Sequence, residues 1–322
     1  MAKIDEVLEM IMTFIIVFIS VLTINTICHV QENEDQPSDF PVIKGLYLGQ
    51  EPPGELPQVF APSIIFSENA IHGQIAFHPN GKEIYWIFHS PTYALNPPRI
   101  NCIKQIDGYW TKPWIVPFSK RYGAINISIS PDGKKLYFNS NRPWPSSWGK
   151  QPTDNMIGVY KIWYVERMDS GWGEPKLLDK NINQILGSIS STGDGTLYTH
   201  GIKRARIKNG KYTNWEQLRQ PLNIGRITGG HPYISPDESY ILFNRKWPGM
   251  RGYGIFISYR TKTDSWTEPF NLLEKLGAPR GGSQPVVSPD GKYLFYYSGG
   301  KFYWVDARII ADHKPKDLKL GY

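Results

Sequence analysis

The sequence predicts an all-β protein, a five-bladed β-propeller of four-stranded antiparallel blades closed by an N-terminal strand. Three observations predict it. A turn of the Pro-Asp-Gly type recurs five times, a tryptophan signature alternates with it, and a strand-like apolar run separates the two. The composition agrees: Gly 30 and Pro 26 supply many turns, and 14% aromatic residues can fill a sheet-packed core.

The turn copies are AFHPNGKEIYWIF (76–88), SISPDGKKLYFNS (128–140), SISSTGDGTLYTH (188–200), YISPDESYILFN (233–244) and VVSPDGKYLFYYS (286–298). In each, Asp or Asn offers a side-chain acceptor, and in all but the fourth, which has Glu238 there, Gly supplies the positive φ that a tight turn needs. The second signature is Trp110-x-x-Pro113, Trp172-x-x-Pro175, Trp215 without its proline, and Trp266-x-x-Pro269, with Phe60-Ala61-Pro62 as a degenerate first copy. From that signature to the next turn takes 19, 21, 20, 21 and 23 residues, whereas from turn to signature takes 31, 41, 23 and 30. One connection of the unit is therefore fixed and the other carries insertions.

Third strands are read at 100–106, 158–167, 203–208 and 253–260. Each unit becomes four strands, A to D, with the turn joining A to B and the tryptophan opening D. Units of this length with four strands are propeller blades, which cannot bury both faces alone and pack around an axis. The fifth unit ends after KFYWVDARII and lacks a fourth strand, while QVFAPSIIF near the N-terminus is a strand without a blade. Pairing the two closes the ring without a free edge. A sixth blade would need strands that the sequence does not supply.

SPDGKKLYFNSNRP (130–143), IWYVER (162–167) and GWGEPKLL (171–178) resemble the WD40-like Pro-Asp propeller repeats of bacterial envelope proteins, including the TolB propeller. The resemblance spans about residues 40–310 and implies the fold and a protein-binding platform. It departs from TolB in blade count and in lacking an evident partner domain. Propellers also include enzymes, so fold alone does not settle function.

Residues 10–28 form a run of 19 without a charge, nearly enough to cross a bilayer as a helix. Asp5, Glu6 and Glu9 outnumber Lys3 before it, which is unusual for export, and bulky Ile27 precedes Cys28 where a lipoprotein signal has a small residue. The expected organisation is a signal peptide or membrane anchor over 1–30, a flexible linker over 31–45 and the propeller over 46–322. The chain is thus expected in the cell envelope, periplasmic or extracellular, tethered to the membrane or secreted. Two cysteines, Cys28 and Cys102, cannot make a disulfide framework.

Without residues 1–30 the body holds 35 basic and 26 acidic residues, a net of +9. That balance suits an anionic ligand or a generally basic solvated surface, and no Lys/Arg block is dense enough to indicate nucleic acid. Strand A begins, and strand B ends, on the face opposite the Pro-Asp turns, so the variable B–C loops and the D–A connections share that face. Strand A lines the axis. Five residues before each turn proline stand Gln74, Asn126, His231 and Gln284, with Leu186 or Gly187 in the third blade. Arg121, Arg226 and Arg280 lie just upstream as candidate clamps for carboxylate or phosphate. Arg142 leads into the longest B–C loop, where Trp144 and Trp148 are either stacking platforms or packing for a proline-rich segment. A hydrated channel would also account for the polar ring.

None of those axial positions carries the paired carboxylates of a glycosidase, and no G-x-S-x-G, H-E-x-x-H or C-x-x-C spacing occurs. The expected function is a monomeric, non-catalytic, cofactor-free module binding a protein, peptide or acidic glycan. The alternative is a metal-assisted lyase or hydrolase of an acidic saccharide, its divalent ion held by His72, His89, His200 and His231.

Overall fold

Five antiparallel sheets carry the chain around a common axis. The computed structural model describes residues 40–65, 71–89, 97–148, 160–183, 187–224, 229–246, 252–276, 281–316 and 318, with backbone alone at 71, 72 and 89. The uncharged run at 10–28 and most of the expected linker lie outside the described residues. Among the described residues no helix is long and apolar enough to cross a membrane.

Blade 1 comprises Ile71–Phe77, Glu83–His89, Arg99–Ile106 and Trp114–Ile115, and blade 2 Ala124–Ile129, Lys135–Ser140, Lys161–Met168 and Lys176–Leu177. Blade 3 is smaller, with Ile189–Ser191, Leu197–Thr199, Lys203–Ala205 and Glu216–Gln217. Blade 4 comprises Gly230–Ile234, Tyr240–Arg245, Gly254–Tyr259 and Phe270–Asn271. Blade 5 has Ser283–Val287, Tyr293–Ser298 and Lys301–Asp306, and its fourth strand is Gln58–Val59 from the other end of the propeller. Gln58 stands opposite Trp304 and Val59 opposite Tyr303, so the expected closure is present. Each A strand lies against the A strand of the next blade, and that of blade 5 against that of blade 1.

The blades cohere because apolar side chains of one sheet interdigitate with those of the next. Tyr85, Ile87 and Ile100 of blade 1 meet Ile127, Phe138 and Val165 of blade 2 in one such core. Between blades 5 and 1 the core is aromatic. Phe77 lies 4.6 Å from Phe295 between ring centroids, and Phe60, next to the closing strand, lies 5.0 Å from Phe295. Burial of each such ring is worth about 1.5–3 kcal/mol.

Buried charges add directional links between blades. Glu83 of blade 1 is 2% exposed and accepts two hydrogen bonds from Arg167 of blade 2, at 2.6 and 3.0 Å. Tyr85 donates to the same carboxylate, and Trp172 Nε1 donates to the Tyr85 hydroxyl at 2.9 Å. Burial raises the Glu83 pKa, but the bonds from Arg167 and Tyr85 outweigh it, so the carboxyl lies below its ordinary range. Glu238 of blade 4 sits at φ +59, where the other turns have glycine. Its carboxylate accepts from Tyr198 of blade 3 at 2.5 Å and also from Arg260, which gives a reason for keeping a side chain in a strained position.

Two local expectations are corrected. The tryptophan does not open strand D. Trp110 and Trp172 pair back on strand C at Gln105 and Arg167, and the D pairing resumes only past the proline, which has no N–H to donate. In blade 3 the residue in this register is Tyr212, opposite Ile207, and Trp215 takes the place of the proline. Residues before 46 also contact the blades. Ile43–Lys44 pairs with Tyr109–Trp110, and the Tyr47 ring lies 5.0 Å from that of Tyr293 while its hydroxyl donates to Asp290 at 2.8 Å.

The repeated turns share one device. Asp132 Oδ1 accepts from Lys134 N at 3.0 Å and from Ser130 Oγ at 2.6 Å, and Asp290 repeats both contacts at 3.1 and 2.7 Å. Burial raises the pKa of Asp132, Asp194, Asp237 and Asp290, but hydroxyl and backbone donors outweigh it and leave all four lowered. A depressed folded pKa contributes stability above the ordinary aspartate range, near 4, that is lost as pH falls through the folded values. Asn80 already fills this position in blade 1, accepting from Lys82 N at 2.9 Å. The thermal midpoint should therefore fall below about pH 4, and Asp132→Asn with Asp290→Asn should make the fall shallower. A pH profile unchanged by the double substitution would contradict this account of the turns.

Candidate functional site at the channel mouth

Each inner strand with a described bulge carries it at the same place. The A–B register slips by one residue between His72 and Ile75, Ile125 and Ser128, Gly230 and Tyr233, and Ser283 and Val286. The extra residues are Gln74, Asn126, His231 and Gln284. Asn126, His231 and Gln284 take up the left-handed conformation, with φ of +55, +43 and +55. This conformation costs a non-glycine residue about 1–3 kcal/mol and recurs at functional sites.

The third blade joins the ring through a residue that its turn conceals. Thr192 bonds Asp194 as Ser130 bonds Asp132, so Gly193 stands where the other turns have proline. Ser190 then pairs with Tyr198 as Ser128 pairs with Tyr137, and the ring position is Ser188 rather than Leu186 or Gly187.

Four of the five ring side chains carry a buried polar atom with no partner: Gln74 Oε1, Ser188 Oγ, His231 Nδ1 and Gln284 Oε1. Asn126 instead donates from Nδ2 to Asn139 Oδ1 at 2.8 Å. Asn139, His200 and Asn244 occupy matching positions on the B strands and form a second polar tier beside the ring. Asn244 Oδ1 and Asn139 Nδ2 are also buried and unpartnered. Buried polar groups are ordinarily paired, so a concentric set of unpaired ones indicates that water or a ligand completes them. The sequence signal for the second tier was the Phe-Asn pair at a fixed distance from two of the turns, 138–139 and 243–244.

The two histidines meet here. Their ring centroids are 6.0 Å apart with planes at 88°. Burial, with a smaller contribution from His200, pushes the His231 pKa down to about 4. His200 is lowered by burial and by Lys203. The ring is therefore neutral at physiological pH and offers hydrogen bonds rather than charge.

Other expected site residues fall elsewhere. Trp144 is 5% exposed within the core between blades 1 and 2, and Trp148 packs half-buried against it. Trp144 shares that core with Phe138 and Trp163, and Lys161 Nζ lies 5.4 Å over its ring. Arg142 donates from Nη2 to Phe118 O at 2.5 Å and covers the Tyr122 and Trp163 rings at 5.0 and 5.5 Å, which makes it a staple for the loop. Arg121 is exposed at the rim, 5.2 Å above the same Tyr122 ring. Arg226, Arg280 and the side chains of His72 and His89 lie outside the described residues. Among the described residues no group of three or more His, Cys, Asp or Glu could hold a metal ion.

No family model and no curated protein matches the chain. Among solved structures it is similar to TolB from Acinetobacter baumannii, at 17% identity and TM-score 0.46, over 74% of this chain and 55% of that one. It is also similar to TolB from Agrobacterium tumefaciens, at 18% identity and TM-score 0.41, over 70% and 69%. A GH43 endo-arabinanase from Bacillus licheniformis matches at 17% identity and TM-score 0.45, over 74% and 94%. Gluconolactonases and peptidases are among the neighbours as well. The chain spans about half the length of the first of these proteins. Its own five blades and recurring turns define the class, a five-bladed β-propeller.

The lowered His231 pKa can be read by two-dimensional NMR of the imidazole nitrogens. The His231 ring should stay neutral until the pH falls to about 4. Titration near the ordinary value of about 6.5 would contradict its desolvated place in the ring.

Proposed function

We propose that the chain is an exported, membrane-tethered, non-catalytic binding module that takes a protein, peptide or acidic glycan at the channel mouth. The observation that carries this reading is the ring of buried polar atoms left without partners on Gln74, Ser188, His231 and Gln284. The bulged backbones at Gln74, His231 and Gln284 hold these side chains in place before a ligand arrives, which lowers the ordering cost of binding. The five ring positions offer amide, hydroxyl and imidazole groups and no carboxylate, which supports binding over hydrolysis by a carboxylate pair. Exposed Arg121 at the rim and the net charge of +9 on the body support an acidic partner. The tether rests on the uncharged run at 10–28. The rival reading, a metal-assisted lyase or hydrolase of an acidic saccharide, rests on the His200–His231 pair.

The test uses the full chain extracted from the membrane fraction, probed with an acidic-glycan array and a peptide library. A chain recovered wholly in the soluble fraction would contradict the tether. Replacing His231 and Gln284 by Leu should weaken the captured ligand at least about tenfold, the scale of one lost buried hydrogen bond. Binding that survives both replacements would remove the ring from the site. Turnover of an acidic saccharide with a stoichiometric divalent ion lost on His231→Ala would replace the binding reading with the metal enzyme.

A further inference from the structure

The axis holds a cavity that runs from Gln74 to the Pro-Asp face, the side opposite the variable loops. It has a volume of about 220 Å³, and all five A strands contribute to it. A single water needs only about 10–15 Å³, so the space is far larger than one bridging water. At its outer end stand the turn prolines Pro79, Pro131, Pro236 and Pro289.

The lining has two properties that together narrow the ligand. Among the described lining residues none carries a charge; the walls are Ile, Val, Pro, Phe, Tyr and Ser, with one Gln, one Ala and one Gly. An ion placed there would lose its hydration without gaining a counter-charge. Yet the walls are not inert. Gln74 Oε1, Ser128 Oγ and Ser191 Oγ are buried there without hydrogen-bond partners, and Gln74 and Ser191 are only 7% and 6% exposed. Isolated hydrogen-bonding atoms set in C–H and aromatic surface match a small molecule whose own surface alternates C–H and O–H. Phe77, Tyr233 and the surrounding Ile, Val and Pro side chains supply the apolar part of the lining.

We propose that the axial cavity on the Pro-Asp side is a second binding site, selective for a small neutral polyhydroxylated ligand of cyclitol or monosaccharide size. It goes beyond the channel-mouth reading, which concerns acidic partners on the opposite side. Ser128 and Ser191 belong only to the cavity, whereas Gln74 is shared with the ring.

Isothermal titration of the full chain with myo-inositol and D-glucose tests the proposal, with D-glucuronate as the charged comparison. At least one neutral probe should bind saturably, and glucuronate should not compete for the same site. Ser128→Ala with Ser191→Ala should weaken the neutral probe at least about tenfold while the unliganded thermal midpoint holds or rises, since two unpaired buried hydroxyls are removed. The same double variant should keep any acidic ligand of the channel mouth, so failure of either site can be told from failure of the other. No saturable binding of either neutral probe up to tens of millimolar would overturn the proposal, as would binding indifferent to the two serines.

Discussion

The pairing of Gln58 and Val59 with Trp304 and Tyr303 is the contact on which the ring depends. A lone blade leaves both faces wet, and a chain of five leaves two faces and an open edge at its ends. Closure removes these together, because it brings the A strand of blade 5 against that of blade 1 and seals an aromatic core of Phe60, Phe77, Phe295 and Trp304 between them. The closing strand is only two residues long, so its hydrogen bonds alone could not hold the ring. Phe60, directly after it, carries the apolar burial that makes the short pairing durable.

Once the ring is closed, the inner strands crowd around the axis, and the bulges follow. An extra residue in the A strands of blades 1, 2, 4 and 5 turns one side chain out of the pleat toward the channel mouth. The cost is backbone strain at Asn126, His231 and Gln284. It recurs at equivalent positions with different polar residues, so what is kept is the geometry rather than one side chain. Glu238 follows the same logic at the outer face, where a strained carboxylate links blade 3 to blade 4 through Tyr198.

Much of the fold could be read from spacing. The Pro-Asp turns lie at a nearly fixed distance from the preceding strand, and the odd strand at the N-terminus matched the missing fourth strand of blade 5. Details that depend on register were not legible. Thr192 aligned with the turn prolines by eye, yet its hydroxyl does the work of Ser130, and that one-residue offset hid Ser188. Trp215 looked like a copy of Trp172, although Tyr212 holds that register. For Trp144 the residues left stacking and packing both open, and which core it enters, like the rings that Arg142 covers, depends on three-dimensional contacts. Spacing alone drew attention only to the face opposite the Pro-Asp turns. The axial cavity became visible only when five inner strands were placed side by side.

The closed ring is tested most directly by native-state hydrogen exchange at one amide. Phe60 N–H donates to Phe302 O at 2.8 Å, immediately beyond the closing strand. If closure holds the propeller together, this amide exchanges only with global unfolding, at the same free energy as the central B-strand amides of blades 2 and 4. Exchange at Phe60 that is orders of magnitude faster, with those amides still protected, would contradict the account, because the ring would then be stable while open.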